Sequence, residues 1–161
     1  MIIGVLESLL NIGEYMHKKG GCFNYGTWLP EEKMKYLKYI PKDVITILDV
    51  GCGRGEWIWI LKNKGFYVEG CDVDPICISK SKKVVKKVKY ADVQELSKYY
   101  SNESFDFISC LHVLEHTYCP IDALKEMVKV TKNIFLSLFL TLDTSLIMNT
   151  ILIFTVGIGK H

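Results

Sequence analysis

Residues 47–57 read ILDVGCGRGEW, with glycines at the alternate positions 51, 53 and 55 directly after an apolar run that carries one acid, Asp49. Glycine has no Cβ, so the backbone can take positive φ and pass close to a bulky group. A plain strand-to-helix turn is served by one such residue. Three in alternation call for backbone N–H groups that face a ligand at the start of a helix. The dinucleotide fingerprint GxGxxG is not met, because the third glycine comes one residue early and Glu56 stands where glycine is wanted. No GK[ST] follows, which removes a phosphate loop. An acid beside the turn is poor company for a diphosphate, and Asp49 suits a cationic or zwitterionic ligand better.

Around this turn the chain alternates between two periodicities. VITILDV (44–50), FYVEGCDV (66–73), KVKYADV (87–93), FDFISCL (105–111) and NIFLSLFL (133–140) read as strands. EWIWILKNKG (56–65), PICISKSKKVV (75–85), VQELSKYY (93–100) and IDALKEMVKVT (121–131) read as helical, one opening at Pro75 and one stopping at Gly65. Such alternation predicts an α/β domain: a Rossmann-like three-layer sandwich, mostly parallel, with helices on both faces. At 161 residues one structural domain is expected. Residues 44–161 would form its body. Residues 1–43 would cap the site with an amphipathic helix (2–12), an aromatic, glycine-rich loop (Tyr15, Phe23, Tyr25, Trp28) and a helix from Pro30 to Pro41. That loop serves equally as a roof over a ligand or as core packing.

The net charge of +2 gives no global field for nucleic acid or a membrane. Arg54 is the only arginine, which argues against a specific nucleic-acid reader. The lysine-rich run 79–89 reads as a solvated helix face opposite Ile78, Ser81, Val84, Val85 and Val88. Six cysteines occur without a CxxC pair, and no basic leader precedes the apolar start, so reduced thiols in a cytoplasmic protein are expected.

Two further acids stand at strand ends. Asp72, in EGCDVDP, follows the glycines by about 20 residues, where a carboxylate can accept both hydroxyls of a ribose. Asp74 lies deeper in the loop before Pro75 and is the weaker candidate. Asp92, in YADV, suits either an exocyclic amine of a base or a helix cap. Taken in order, ILDVGCGRG, GCDVDP, YADV and FDFISCLHVLEH resemble the successive motifs of class I S-adenosylmethionine-dependent methyltransferases, over roughly residues 45–140. The resemblance implies S-adenosylmethionine as cofactor and S-adenosylhomocysteine as product. It implies that Asp49, Gly51, Cys52, Gly53 and Gly55 surround the methionine end, and that Asp72 holds the ribose with Val73 against the adenine. Asp92 and the Val93 backbone would read the adenine edge, while Cys110, Leu111 and His112 border the methyl group. Leu111 departs from the small or polar residue often found there. His112 is a candidate base or acceptor-positioning group.

HVLEH (112–116) also fits HxxEH, a zinc peptidase signature with two histidines one helical turn apart. No convincing third ligand follows, and VLEH after an FD-led strand is common in the resembled family without a metal. No metal is therefore expected, and a zinc hydrolase stands third among the readings. After the fifth strand about 21 residues remain, where the family usually adds a helix and an antiparallel strand pair. The expectation is a shortened end, with a last strand at about 150–156 after a connection over 144–149. A membrane anchor and an edge that pairs with another copy or a different chain are the alternatives. The leading function is methyl transfer to an unidentified acceptor. Neither an NPPY-like tetrad nor the cysteine motif of base methyltransferases occurs, so a small molecule is preferred. The alternative is a catalytically idle S-adenosylmethionine-binding subunit that supports a partner.

Overall fold

A computed structural model describes residues 33–140 and 150–154. The N-terminal helix and the aromatic loop expected to cap the site lie outside the described residues, as does the 144–149 connection. Among the described residues six strands form one sheet in the order β3-β2-β1-β4-β5-β6. They are β1 (Thr46–Val50), β2 (Tyr67–Asp72), β3 (Val88–Tyr90), β4 (Phe105–Leu111), β5 (Thr131–Leu140) and β6 (Thr150–Phe154). The first five run parallel, and β6 closes the described sheet antiparallel to β5.

Side chains alternate across a strand, so the central pair β1 and β4 feeds two cores. Leu48, Val50, Ile108 and Cys110 enter one, with Leu96 and Met127. Ile47 and Phe107 enter the other, with Trp57, Ile58, Leu61 and Val68. The second core is covered by α1 (Glu56–Asn63) and the first by α3 (Pro120–Val130), with α2 (Pro75–Ser81) beside α1. Burial on both faces is why β1 and β4 read as unbroken apolar runs rather than alternating ones. The three-layer α/β expectation is met. No described helix is long and apolar enough to cross a membrane.

The stretch after Asp92 is a short 3-10 helix (Val93–Lys98), in keeping with the brief helical segment expected there. One helix differs from expectation. The α2 helix stops at Ser81, four residues early. There Ser81 Oγ donates to the Cys77 carbonyl (2.9 Å) and to that of Ile78 (3.2 Å). Such back-bonding competes with the helix ladder and favours an ending.

Asp106, the acid of the FD-led strand, fastens the sheet rather than a ligand. Its Oδ2 accepts from the N–H groups of Ile45 (3.1 Å) and Thr46 (2.8 Å), and its Oδ1 accepts from Lys132 Nζ (3.2 Å). Partial burial pushes this carboxyl up, but the bonds from Thr46, Ile45 and Lys132 outweigh it and hold it below the ordinary carboxylate range. Asp106→Ala should cost about 1–3 kcal/mol, because it leaves the backbone donors at the start of β1 unpaired. A lower urea midpoint with an unchanged slope is the expected result. An unchanged midpoint would show that water replaces the carboxylate.

Candidate functional site

The chain runs outward from β1 in both directions along the sheet, so the strand order reverses between β1 and β4. In open α/β sheets ligands bind at the carboxyl ends of the strands at such a point. A cavity of about 870 Å³ opens there. Its wall takes Val50 and the glycine turn from the end of β1, Asp72 and Val73 from β2, Asp92 and Val93 after β3, and Leu111 and His112 at β4.

The three glycines have three different surroundings. Gly53 (φ +55) faces open space, and a Cβ there would meet nothing within 4 Å. Gly51 (φ +66) lies under the loop after β4, where a Cβ would come within 2.1 Å of Val113 Cγ2. Gly55 is the N-cap of α1 and packs on α2, so a Cβ would sit 3.1 Å from Ser81 Cα. Gly51 and Gly53 both line the cavity, and Gly53 is the one whose Cβ position is open. Gly51 and Gly55 are also required by contacts within the protein.

Asp72 is tied to this turn. Its Oδ2 accepts from the Gly53 N–H (2.8 Å) and its Oδ1 from the Asp74 N–H (2.9 Å). A carboxylate has about four lone-pair sites, so both oxygens can accept further bonds. Val73 and Ile76 stand on the wall 54 % and 64 % exposed, apolar surface open to an aromatic ring. Asp92 is also on the wall, and its Oδ1 accepts from the Gln94 N–H (2.9 Å) as a cap of the 3-10 turn. The structure thus shows Asp92 as a helix cap that also borders the cavity. Asp74 caps α2 by accepting from the Ile76 N–H (2.7 Å).

Asp49, Gly55 and Cys110 lie behind the wall rather than on it. Asp49 is 2 % exposed, and its Oδ1 accepts from Ser109 Oγ (2.8 Å). Burial pushes its carboxyl up to about 7, against the opposing effects of the Ser109 hydroxyl and Lys33. None of the described cysteines forms a disulfide. Burial pushes Cys71 up to about 12 and raises Cys52 and Cys110 as well, so none is a thiolate at neutral pH.

The loop after β4 supplies wall residues that sequence reasoning missed: Val113, His116, Thr117 and Tyr118. Gln94 anchors it, its Oε1 accepting from the Cys119 N–H (2.9 Å). Lys33, Arg54 and Glu56 complete the opposite side. His112 adopts φ +57, a conformation that costs a residue with a Cβ about 1–2 kcal/mol. Only Leu114–His116 is helical, as a 3-10 turn. The two histidines of HVLEH are therefore not on successive turns of an α-helix, as the zinc signature requires. Among the described residues no group of three or more His, Cys, Asp or Glu side chains is placed to hold a metal ion.

A parallel sheet with this order, a glycine turn after β1 and an acid at the end of β2 defines a Rossmann-like domain for a nucleoside-containing ligand. A family model described as a methyltransferase domain matches residues 25–150, and the chain belongs to that family. The ubiquinone biosynthesis O-methyltransferase of Coxiella burnetii is 30 % identical over 123 residues, covering 65 % of this chain and 52 % of the relative. The enzyme of that name from Aliivibrio fischeri is 26 % identical over 91 residues, covering 53 % of this chain and 39 % of the relative. The chain thus spans about half the length, or less, of these curated relatives. A SAM-dependent methyltransferase from Archaeoglobus fulgidus shares the fold with a TM-score of 0.62 and 23 % identity, over 69 % of this chain and 51 % of that one. One from Methanosarcina mazei aligns with a TM-score of 0.55 and 25 % identity, over 65 % and 56 %.

Proposed function

We propose that this chain binds S-adenosylmethionine in the cavity and directs its methyl group to a small-molecule acceptor. The observation that carries the proposal is Asp72, an acid at the end of β2 that stands on the cavity wall and holds the N–H of Gly53. S-adenosylmethionine, when bound, supplies a methyl group already joined to a good leaving group, so the protein's main task is alignment. Orientation of that kind contributes roughly 7–11 kcal/mol to a barrier.

The residues fit such a ligand. Gly53 leaves room for it, and Asp72 offers lone pairs to the ribose hydroxyls. Val73 and Ile76 cover an adenine face, and Asp92 with the Val93 backbone meets its edge. Gly51 and Cys52 shape the turn at the amino-acid end, and Asp49 places a buried acid behind them. Leu111 and His112 border the reacting end, with His112 as candidate base. Gly55 and Cys110 support the site through packing.

Calorimetry with S-adenosylmethionine and S-adenosylhomocysteine tests this directly, and micromolar binding of both is expected. Absence of binding by the folded chain would sink it. Transfer of labelled methyl to any acceptor by the isolated chain would eliminate the idle-subunit reading. Tight binding without turnover over a broad panel of phenols, amines and thiols would favour that reading.

A further inference from the structure

The carboxylates in or beside the core are mostly held by direct hydrogen bonds. Glu126 Oε2 accepts from both the N–H (2.8 Å) and the hydroxyl (2.6 Å) of Ser97, and its Oε1 pairs with Lys129. Asp49 accepts from Ser109, and Asp106 from two backbone N–H groups. Glu115 is the exception. It is 4 % exposed, and its Oε2 is buried with no hydrogen-bond partner among the described residues. Its other oxygen, Oε1, lies 3.5 Å from Nδ1 of His112. The neighbours it acts on electrostatically are Cys110 at the end of β4 and His116 in its own turn. The Cys110 thiol is raised by burial first and by Glu115 second. His116 is lowered by burial, with Glu115 opposing.

An acid placed here for structure alone would cap the 3-10 turn or meet a lysine, and Glu115 does neither. Meanwhile His112 is held in a left-handed conformation on the cavity wall. Two unfavourable features thus meet three residues apart, just past the end of β4. A strained backbone and a buried carboxyl oxygen without a hydrogen bond, together at a cavity, point to a working site. The distance between the two side chains is long for a hydrogen bond, as such pairs often are before substrate is bound.

We propose that Glu115 is a positioning residue for His112. It accepts from Nδ1–H, which leaves Nε2 as the nitrogen that takes a proton, and its carboxylate then stabilises the imidazolium. The tautomer of a histidine is set by the hydrogen bond its other nitrogen makes. This rests on the methyltransferase reading and adds an acceptor class: a hydroxyl, phenolic or enolic, that must lose its proton. As the hydroxyl oxygen forms its new bond to the methyl carbon, the sulfur–methyl electron pair stays on sulfur as a neutral thioether. The hydroxyl proton passes to His112 Nε2.

Nitrogen-15 spectra of histidine-labelled full-length chain, without ligand, test the arrangement, with His112→Gln used to assign the ring. The wild type should show neutral His112 as the Nδ1–H tautomer. Glu115→Leu should revert it toward the Nε2–H form, and Glu115→Gln, which keeps an acceptor oxygen, should retain Nδ1–H. An Nε2–H tautomer in the wild type would overturn the proposal without any Glu115 variant having to fold. So would an unchanged tautomer in Glu115→Leu. S-adenosylmethionine affinity should stay within about threefold in folded Glu115→Leu and Glu115→Gln. No S-adenosylmethionine binding by the wild type would sink the methyltransferase reading and the proton step with it. A wrong tautomer in a chain that does bind would sink only the Glu115 role.

Discussion

Asp72→Ala is expected to weaken S-adenosylmethionine binding by about tenfold or more, the equivalent of 1.4 kcal/mol per decade. Two losses combine in that figure. The carboxylate would no longer accept from the ribose, and a bond to a charged acceptor is worth about 1.5–3 kcal/mol net. The N–H groups of Gly53 and Asp74 would also lose their 2.8 and 2.9 Å partner, so the glycine turn would no longer be held in the shape that leaves its surface open. Asp72→Asn separates the two effects. One amide oxygen can still accept from Gly53, but the charge is gone, so an intermediate affinity is expected. Calorimetry on all three chains, with urea unfolding beside it, gives the comparison. If Asp72→Ala binds as tightly as the wild type, Asp72 serves only to brace the turn.

Much of this arrangement was legible because it is local. The β4 strand was read at its observed bounds, since FDFISCL is a short apolar run with a polar start and a histidine stop. Asp72 and Asp92 were read at strand ends, and both stand on the cavity wall. The glycine turn was legible as a turn but not as three separate requirements. The reason Gly51 cannot carry a side chain is Val113, more than sixty positions away, and the reason for Gly55 is Ser81 on another helix. Long-range contacts of that kind leave no local periodicity to detect. The lysine-rich run misled in a similar way. Its apolar spacing suggested one helix through 85, yet Val84 packs against Gly55 and Lys62 Nζ donates to the Val84 carbonyl (2.9 Å) after the helix has ended. Helical spacing in HVLEH was overridden by the left-handed turn at His112.

The second large effect concerns Asp49 and runs opposite to the usual behaviour of a carboxylate. Desolvation in the sheet core raises it from the ordinary 3.8 to about 7, while the Ser109 hydroxyl and Lys33 oppose the rise and Asp72 adds to it. The folded chain therefore holds this proton more tightly than the unfolded chain does. Stability from this residue is fully present below pH 3.8 and is lost as pH rises toward about 7, where the carboxylate must sit ionised in the core. At about 1.4 kcal/mol per decade, the cost at neutral pH and above reaches at most about 4 kcal/mol. Asp49→Asn removes that cost and keeps an oxygen for Ser109. The variant and the wild type should be equally stable near pH 4, and the variant should be increasingly more stable toward pH 8. Asp106 and Glu126, both held below the ordinary range, destabilise the fold as acid is added. They do so equally in both chains, so the difference between two urea series isolates Asp49. No gain at pH 8 would mean that the ionised carboxylate is solvated through the cavity. The same substitution should weaken S-adenosylmethionine binding, because a cationic ligand beyond the glycine turn favours the charged form. Weaker binding by a more stable Asp49→Asn chain would show that this buried acid trades stability for the ligand beyond the glycine turn.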